Sequence, residues 1–262
     1  MRHIGEKMIL LLCIAVFGIA AVKLIDIGKE YYDGQKEYEE LKAYIKEVPV
    51  CQPEKMTGDE PEKETGKEID FEGLRKINED LVAWIQIPGI GVDYPVVQGE
   101  DNEYYLYHTF QKENNKAGSI FLDYRNHDDF TDRRVILYGH NMKDGSMFSN
   151  LKQYQDSVFR KNSGSAYLYL PEKTLHLEIT ACEKVSMRDD IYALENDVSC
   201  DWPEEIILST CSSSSDTRLI LRCKVTKIQH LTNINRNNLL DKVMFRENIF
   251  QCSSVIIQNK SK

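Results

Sequence analysis

The sequence predicts a mainly β domain, either a barrel or a sandwich, that follows an N-terminal helix able to span a membrane. Three observations lead to this prediction. Residues 8–22 form an apolar run of fifteen residues without a charge. About eight short strand-like runs follow after residue 69, and few long helical patterns separate them. Many short strands with few helices are typical of closed or two-layered β structures.

The apolar run at residues 8–22 predicts the membrane helix. Residues 24–25 extend it past Lys23, whose amine can reach the headgroups, so the run is long enough to cross a bilayer. Basic residues precede the run and acidic residues follow it, so the positive-inside rule leaves the N-terminus in the cytoplasm and exports the rest. The alternative is a cleaved signal peptide, because residues 18–20 have the small-x-small pattern. We expect an uncleaved single-pass anchor within residues 1–27.

The segment at residues 28–68 predicts a helical stalk followed by an acidic linker. Residues 28–47 are helix-prone, with apolar and tyrosine side chains partly on one stripe. Residues 49–68 are rich in proline, glycine and acidic side chains, a composition typical of solvated linkers. The pattern changes at residue 69, and we predict one domain at 69–225. Residues 226–262 are expected to be a C-terminal extension of unknown structure.

The domain itself shows a series of apolar, β-branched runs, in which strict alternation is clearest at 174–181. We predict a short helix within residues 70–82 and strands near 83–87, 92–97, 119–123, 134–139, 165–170, 174–181, 205–210 and 218–225.

Charge and cysteine usage exclude several function classes. The chain has 33 basic and 42 acidic residues, and the formal net charge is −9. Nucleic-acid binding needs a basic stripe, and the sequence contains none, so we expect no nucleic-acid partner. The cysteines form no CxxC or Cys/His cluster with zinc-ligand spacing, so neither a metal nor another cofactor is predicted. Six cysteines outside the anchor could form a disulfide framework, but such frameworks serve small domains that lack a core.

One cysteine differs from the others in its setting. In residues 206–225, two apolar runs flank the polar loop 212–217, which predicts an antiparallel strand pair. Cys211 then ends one strand and Arg218 begins the next, so thiol and guanidinium share a neighbourhood. A nearby cation favours the nucleophilic thiolate and can stabilise an oxyanion. Arg222 shares the strand face of Arg218 but lies roughly 13 Å further along, so Arg218 is favoured.

A cysteine nucleophile also needs a group that moves protons. His140 follows the predicted strand 134–139 and precedes a polar, glycine-containing loop, a position where a barrel can present a catalytic group. His176 falls on the polar face of its strand, and a surface position is expected for it. The remaining candidates outside the anchor are His108, His127 and His230.

These motifs together resemble those of the class B sortases. The run YGHNMKDGSMF at 138–148 is similar to the family's histidine motif. The run LSTC at 208–211, with Arg218 opening the next apolar strand, resembles the cysteine and arginine motifs. Residues 101–106 and 117–124 also resemble class B sequence.

The resemblance covers about residues 70–225 and implies an eight-stranded sortase-type β-barrel with short peripheral helices behind the N-terminal transmembrane helix. It implies a cysteine transpeptidase of the cell membrane, with its catalytic domain extracellular. Cys211 would attack a threonine carbonyl in a C-terminal sorting motif and form a thioacyl enzyme. His140 would protonate the leaving amine and later deprotonate an incoming one, while Arg218 would steady the carbonyl oxygen.

The resemblance also implies partners and a substrate groove. The partners would be surface proteins with a C-terminal sorting motif and an amine acceptor such as lipid II or a pilin lysine. Ordinary packing or capping is the alternative role for the residues placed near the groove. Those residues are Asn102, Leu106, Tyr138, Ser209 and Thr210.

The segment between the strands ending near Ala181 and starting near Glu205 is only about two dozen residues long. Class B relatives usually carry a long helix-bearing loop there, so we expect an open, solvated site in this chain. Two alternative functions use the same observations. One is an exported cysteine hydrolase that transfers to water, and the other is a non-catalytic membrane-tethered binding module in which Cys211 is a structural thiol.

Overall fold

The structure is a computed structural model that describes residues 2–49, 65–194, 200–211 and 216–230. Most of the predicted linker and all but the first residues of the predicted C-terminal extension lie outside the described residues. The helices are α1 (Arg2–Leu41), α2 (Phe71–Arg75) and α3 (Ser157–Asn162). The strands are β1 (Ile45–Pro49), β2 (Thr65–Ile69), β3 (Leu81–Ile87), β4 (Val92–Val97), β5 (Ile120–Leu122), β6 (Arg134–His140), β7 (Ser165–Tyr169), β8 (Lys173–Ser186), β9 (Glu205–Cys211) and β10 (Thr217–His230).

Eight strands close into a barrel in the order β10-β8-β7-β3-β4-β5-β6-β9. The pairs β4–β5 and β6–β9 are parallel, and the other neighbouring pairs are antiparallel. The prediction of a mainly β, eight-stranded barrel is therefore confirmed, and the sandwich alternative is wrong.

Apolar side chains from every part of the barrel fill its interior. Trp84 on β3 is completely buried, and six of the seven β3 residues are buried. On β8 the predicted alternation holds: Leu175, Leu177 and Ile179 are buried, while the side chains between them face outward. Burial of such side chains stabilises the fold by about 1.5–3 kcal/mol each.

Helix α1 is continuous over 40 residues, a length of about 60 Å. Its apolar part is exposed on all sides, with Phe17 75% exposed, and is long and apolar enough to cross a membrane. Its C-terminal part instead packs on the barrel, where Tyr38 and Leu41 are buried. Anchor and stalk therefore belong to one helix, and this supports membrane association of the chain.

The residues at the two sides of the predicted linker pair with each other, and residues 45–47, predicted as part of the helix at 28–47, form a strand instead. Strands β1 and β2 form a separate antiparallel sheet, with a register from Ile45↔Ile69 to Pro49↔Thr65. At the other end of the domain, β10 continues to His230 because its last residues pair with the start of β8. The domain boundaries at residues 68 and 225 remain predictions.

Candidate active site

The barrel brings the predicted cysteine and histidine together at the ends of two parallel strands. Strands β6 and β9 run side by side, and the last pair in their register is His140↔Cys211. Neighbouring strands lie about 4.8 Å apart, so the two residues share one edge of the barrel. Each strand has a buried apolar run, at 135–137 in β6 and 206–208 in β9, and the His140–Cys211 pair lies at the strand ends beyond these runs.

Arg218 joins this pair from the third strand. The register of β9 and β10 ends at Ile220↔Ser209, and two further residues along each strand place Arg218 opposite Cys211. Hydrogen bonds of 3.3 Å between the Thr210 hydroxyl and the Leu219 backbone continue the pairing in this direction. The charge of Arg218 also acts on the His140 imidazole. The structure thus brings the three predicted catalytic residues to one place.

Arg222, the competing arginine, lies elsewhere. It pairs with Ile207, four residues before the end of β9. Its guanidinium forms ion pairs with Glu183 at 3.0 Å and Glu205 at 2.6 Å. These contacts give Arg222 a structural environment that is separate from Cys211.

The imidazole of His140 has a defined tautomer. Its Nε2 lies 2.6 Å from the carbonyl oxygen of Leu106. A carbonyl oxygen can only accept, so Nε2 carries the proton and the lone pair of the neutral ring is on Nδ1. Burial lowers the pKa of His140; the Leu106 hydrogen bond opposes this effect, and the Arg218 charge adds to it. The ring is therefore neutral at neutral pH, with Nδ1 as its basic atom.

A buried carboxylate that the sequence reasoning missed organises the wall beside this pair. Asp123 is completely buried and receives two hydrogen bonds from Arg125, at 2.9 and 2.8 Å. The hydroxyl of Tyr138 donates to it at 2.9 Å and the amide of Asn102 at 3.1 Å. Burial raises the pKa of Asp123, but the hydrogen bonds from Arg125 and Tyr138 outweigh that effect and hold it below its usual range.

This network engages two of the predicted substrate-binding side chains. Besides donating to Asp123, the Asn102 amide accepts a hydrogen bond from the Tyr124 backbone at 3.0 Å. The phenol of Tyr138 is half-buried. Because its hydroxyl proton is donated to Asp123, its oxygen can only accept a further hydrogen bond. Leu106 is half-buried too, and it is the backbone carbonyl of Leu106 that reaches His140.

The other two predicted substrate-binding side chains are buried on β9. The Ser209 hydroxyl lies 2.9 Å from the Tyr192 hydroxyl, and Thr210 contacts the β10 backbone. The Tyr192 ring stacks against Tyr138 with centroids 6.4 Å apart, and its carbonyl accepts from Arg125 at 3.2 Å. The network therefore ties the β8–β9 connection to the wall of the site. The only sequence signal of the Asp123 network is the Asp-x-Arg spacing at 123–125, directly after a strand.

The chain is similar in sequence to known proteins. The family model described as the sortase domain matches residues 85–226. The chain belongs to the sortase family. It is 39% identical over 152 residues to sortase B of Listeria monocytogenes, covering 56% of this chain and 58% of that protein. It is 29% identical over 183 residues to sortase B of Staphylococcus aureus, covering 60% of this chain and 75% of the relative.

Solved structures of class B sortases also match this chain. A crystal structure of sortase B from Bacillus anthracis matches with a TM-score of 0.59 and 29% identity, over 77% of this chain and all of that one. The Staphylococcus aureus sortase B–substrate complex matches with a TM-score of 0.52 and 27% identity, over 62% and 85% of the two chains. This sortase nevertheless spans less than two thirds of the Listeria relative.

Two of the other thiols described in this sortase, Cys182 and Cys223, are poor candidates for a nucleophile. Burial raises the pKa of Cys182 to about 11 and that of Cys223 to about 12, so both stay protonated at neutral pH. Cys223 lies in the core as its strand face predicted. Among the described residues, no group of three or more histidine, cysteine or acidic side chains could hold a metal ion. Cys51 and Cys252 lie outside the described residues.

Proposed function

We propose that this sortase is a cysteine transpeptidase in which Cys211 is the nucleophile, His140 the acid–base group and Arg218 the electrostatic stabiliser. The register pair His140↔Cys211, with Arg218 entering from the adjacent strand, is the observation that supports this most strongly. A thiol, an imidazole and a guanidinium at one strand edge are the groups that acyl transfer through a thioester requires.

The proposed reaction has two halves. The reactive form is the minor fraction of the enzyme that carries a Cys211 thiolate and a His140 imidazolium together. The thiolate adds to the threonine carbonyl of the sorting motif, and Arg218 stabilises the oxyanion of the tetrahedral intermediate. The intermediate collapses, the peptide C–N bond breaks, and Nδ1–H of the His140 imidazolium gives its proton to the leaving amine. In the second half, Nδ1 takes a proton from the incoming amine as that amine adds to the thioester. Collapse forms the new amide and releases the Cys211 thiolate.

The substrates proposed are surface proteins with a C-terminal sorting motif, and the acceptor is an amine such as lipid II or a pilin lysine. The length and apolarity of α1 support a single-pass protein, for which we propose a cytoplasmic N-terminus and an extracellular catalytic domain. The groove residues proposed are Asn102, Leu106, Tyr138, Ser209 and Thr210. Tyr138 and Ser209 support this assignment by position, since their register pair lies two residues before His140↔Cys211.

A product assay tests the proposal. The full chain in detergent micelles is mixed with a library of sorting-motif peptides, with and without a primary amine, and the products are identified by mass. We expect an amide product that needs the amine, that is abolished by Cys211→Ala, and that persists in Cys200→Ala. The second variant removes a free thiol from a loop of the domain.

The same assay separates the alternatives. Identical hydrolysis products with and without the amine would favour the cysteine hydrolase. An intact wild-type protein that processes none of the peptides would favour the binding module.

A further inference from the structure

The C-terminal part of α1 contacts the connection between β4 and β5 at residues 111–119. The Glu30 carboxylate forms an ion pair with Lys116 at 2.7 Å, and the Glu30 carbonyl accepts from Asn115 at 2.8 Å. One helical turn before its end, Tyr38 is only 4% exposed. The C-terminal part of this helix is therefore packed on the catalytic domain and held there by polar contacts.

A first chain of contacts leads from Tyr38 to the imidazole of His140. The Tyr38 hydroxyl donates to the Gly118 carbonyl at 2.6 Å. Gly118 has a positive φ of 57°, and a Cβ there would lie 2.6 Å from the carbonyl oxygen of Leu106. That oxygen is the one bonded to His140 Nε2, also at 2.6 Å. Gly118 thus packs directly against the peptide that orients the imidazole.

A second chain of contacts leads from Tyr38 to the backbone of His140. The Tyr38 ring meets the Tyr94 ring edge to face, with centroids 5.2 Å apart. The Tyr94 hydroxyl accepts a hydrogen bond from the Met147 backbone at 3.3 Å. The next residue, Phe148, donates its backbone N–H to the His140 carbonyl at 2.9 Å. Both routes start at the same side chain and end at the same histidine.

We propose that Tyr38 is a positioning residue for His140, so that the helix that forms the membrane anchor also holds the acid–base group of the site. The proposal rests on the proposed role of His140 in transfer. Tyr38 acts through the Leu106 carbonyl and the loop at 141–148.

The consequence of losing this support follows from the hydrogen bond at Nε2. A displaced Leu106 carbonyl no longer fixes the proton on Nε2, so Nδ1 is less often the basic atom. The Leu106 bond raises the pKa of His140, whereas burial and the charge of Arg218 from β10 lower it. Cys211 on β9 is the register partner of His140. Weakening the Leu106 bond alone therefore moves the pKa of His140 further down.

The test uses the full chain in detergent micelles and compares Tyr38→Phe with Tyr32→Phe. Tyr32 lies on the same helix and is 64% exposed, so the control removes a hydroxyl that is in solvent. We expect Tyr38→Phe to lower kcat by about 3- to 30-fold, below the 10²–10⁴-fold of complete loss of acid–base catalysis, with KM unchanged. Nitrogen NMR of labelled histidine should show a lower His140 pKa and a smaller Nε2–H population, while Tyr32→Phe matches wild type.

A second variant perturbs the same carbonyl from the barrel side. Gly118→Ala should lower the His140 pKa, as Tyr38→Phe does, because the added methyl group displaces the Leu106 carbonyl. Turnover is normalised to folded protein by titrating the reactive thiol. An unchanged His140 tautomer and pKa in Tyr38→Phe and Gly118→Ala would overturn the inference. Absence of amine-dependent turnover in wild type would instead contradict the proposed function, and the NMR comparison would still decide the role of Tyr38.

Discussion

The carboxylate of Asp123 offers a sharp test of the network beside the site. Asp123→Asn keeps the shape of the side chain but removes its charge, and one acceptor oxygen becomes an N–H donor. The four side-chain hydrogen bonds that end on Asp123 come from Arg125, Tyr138 and Asn102. At least one of these donors then faces another donor in a buried position.

The size of the effect follows from the burial of the ion pair. Breaking a buried pair by removing one partner costs about 3–5 kcal/mol. Asp123 is completely buried, but the Arg125 side chain is 33% exposed and can regain water. We therefore expect the lower end of that range, about 3 kcal/mol. For a domain of this size, 1 kcal/mol shifts Tm by about 2–4 °C, so the expected fall in Tm is about 6–12 °C.

The pH dependence of the unfolding free energy independently checks that the ionised Asp123 carboxylate stabilises the fold. The pKa of Asp123 is held below that of an unfolded carboxyl, which is about 3.9. Its contribution is fully present above that value and is lost as the pH falls through the folded pKa. The difference in unfolding free energy between wild type and Asp123→Asn should therefore be largest near neutral pH and shrink in acid.

Thermal unfolding of the full chain in detergent, followed by circular dichroism, measures these effects. Asp128→Asn is the matched control, because Asp128 is exposed on the same connection between β5 and β6. The control should unfold within about 1–2 °C of wild type, as surface substitutions usually do. If Asp123→Asn also unfolds within that interval, the network does not organise the wall of the site.

Three further predictions concern the site and the anchor. Arg218→Ala should lower turnover by about 10²–10³-fold, because it removes an oxyanion partner, and a larger loss in Arg222→Ala would contradict the assignment. Deletion of residues 1–27 should give a soluble, active protein because the docked part of α1 is kept; a folded product that cannot process its peptide would show otherwise. Since the pKa of His140 is lowered, thiol and neutral imidazole should dominate at neutral pH, with a bell-shaped rate profile centred between neutral and mildly alkaline pH. Rapid alkylation of Cys211 at about pH 5 would instead indicate a thiolate–imidazolium pair.

Local patterns in the sequence were sufficient to place most strands. The alternation at 174–181 and the apolar run at 205–210 fall within β8 and β9, because side-chain burial on alternate faces is a local property. The proximity of Cys211 and Arg218 also followed from one hairpin. The end of β10 at His230 could not be recognised, since its last residues are mostly polar and extend only because β8 offers them a partner.

Local patterns could not predict the parts of the site that depend on pairing between segments far apart in the sequence. His140 and Cys211 meet through a parallel pair of strands, whose register no local pattern determines. The role of Asp123 depends on donors from three separate segments. The stripe that includes Tyr38 was visible as helical, but only the fold shows that it packs against the barrel.

The central claim is that Cys211 carries the acyl group from the sorting peptide to the amine. The direct measurement is the mass of the full-chain enzyme, quenched in acid after mixing with a processed peptide in the absence of amine, followed by digestion to locate the adduct. The predicted result is an added mass equal to the N-terminal peptide fragment, on the peptide that contains Cys211. Adding the amine should remove this adduct as the amide product appears. Turnover without any adduct under these conditions, or an adduct on another residue, would contradict the account.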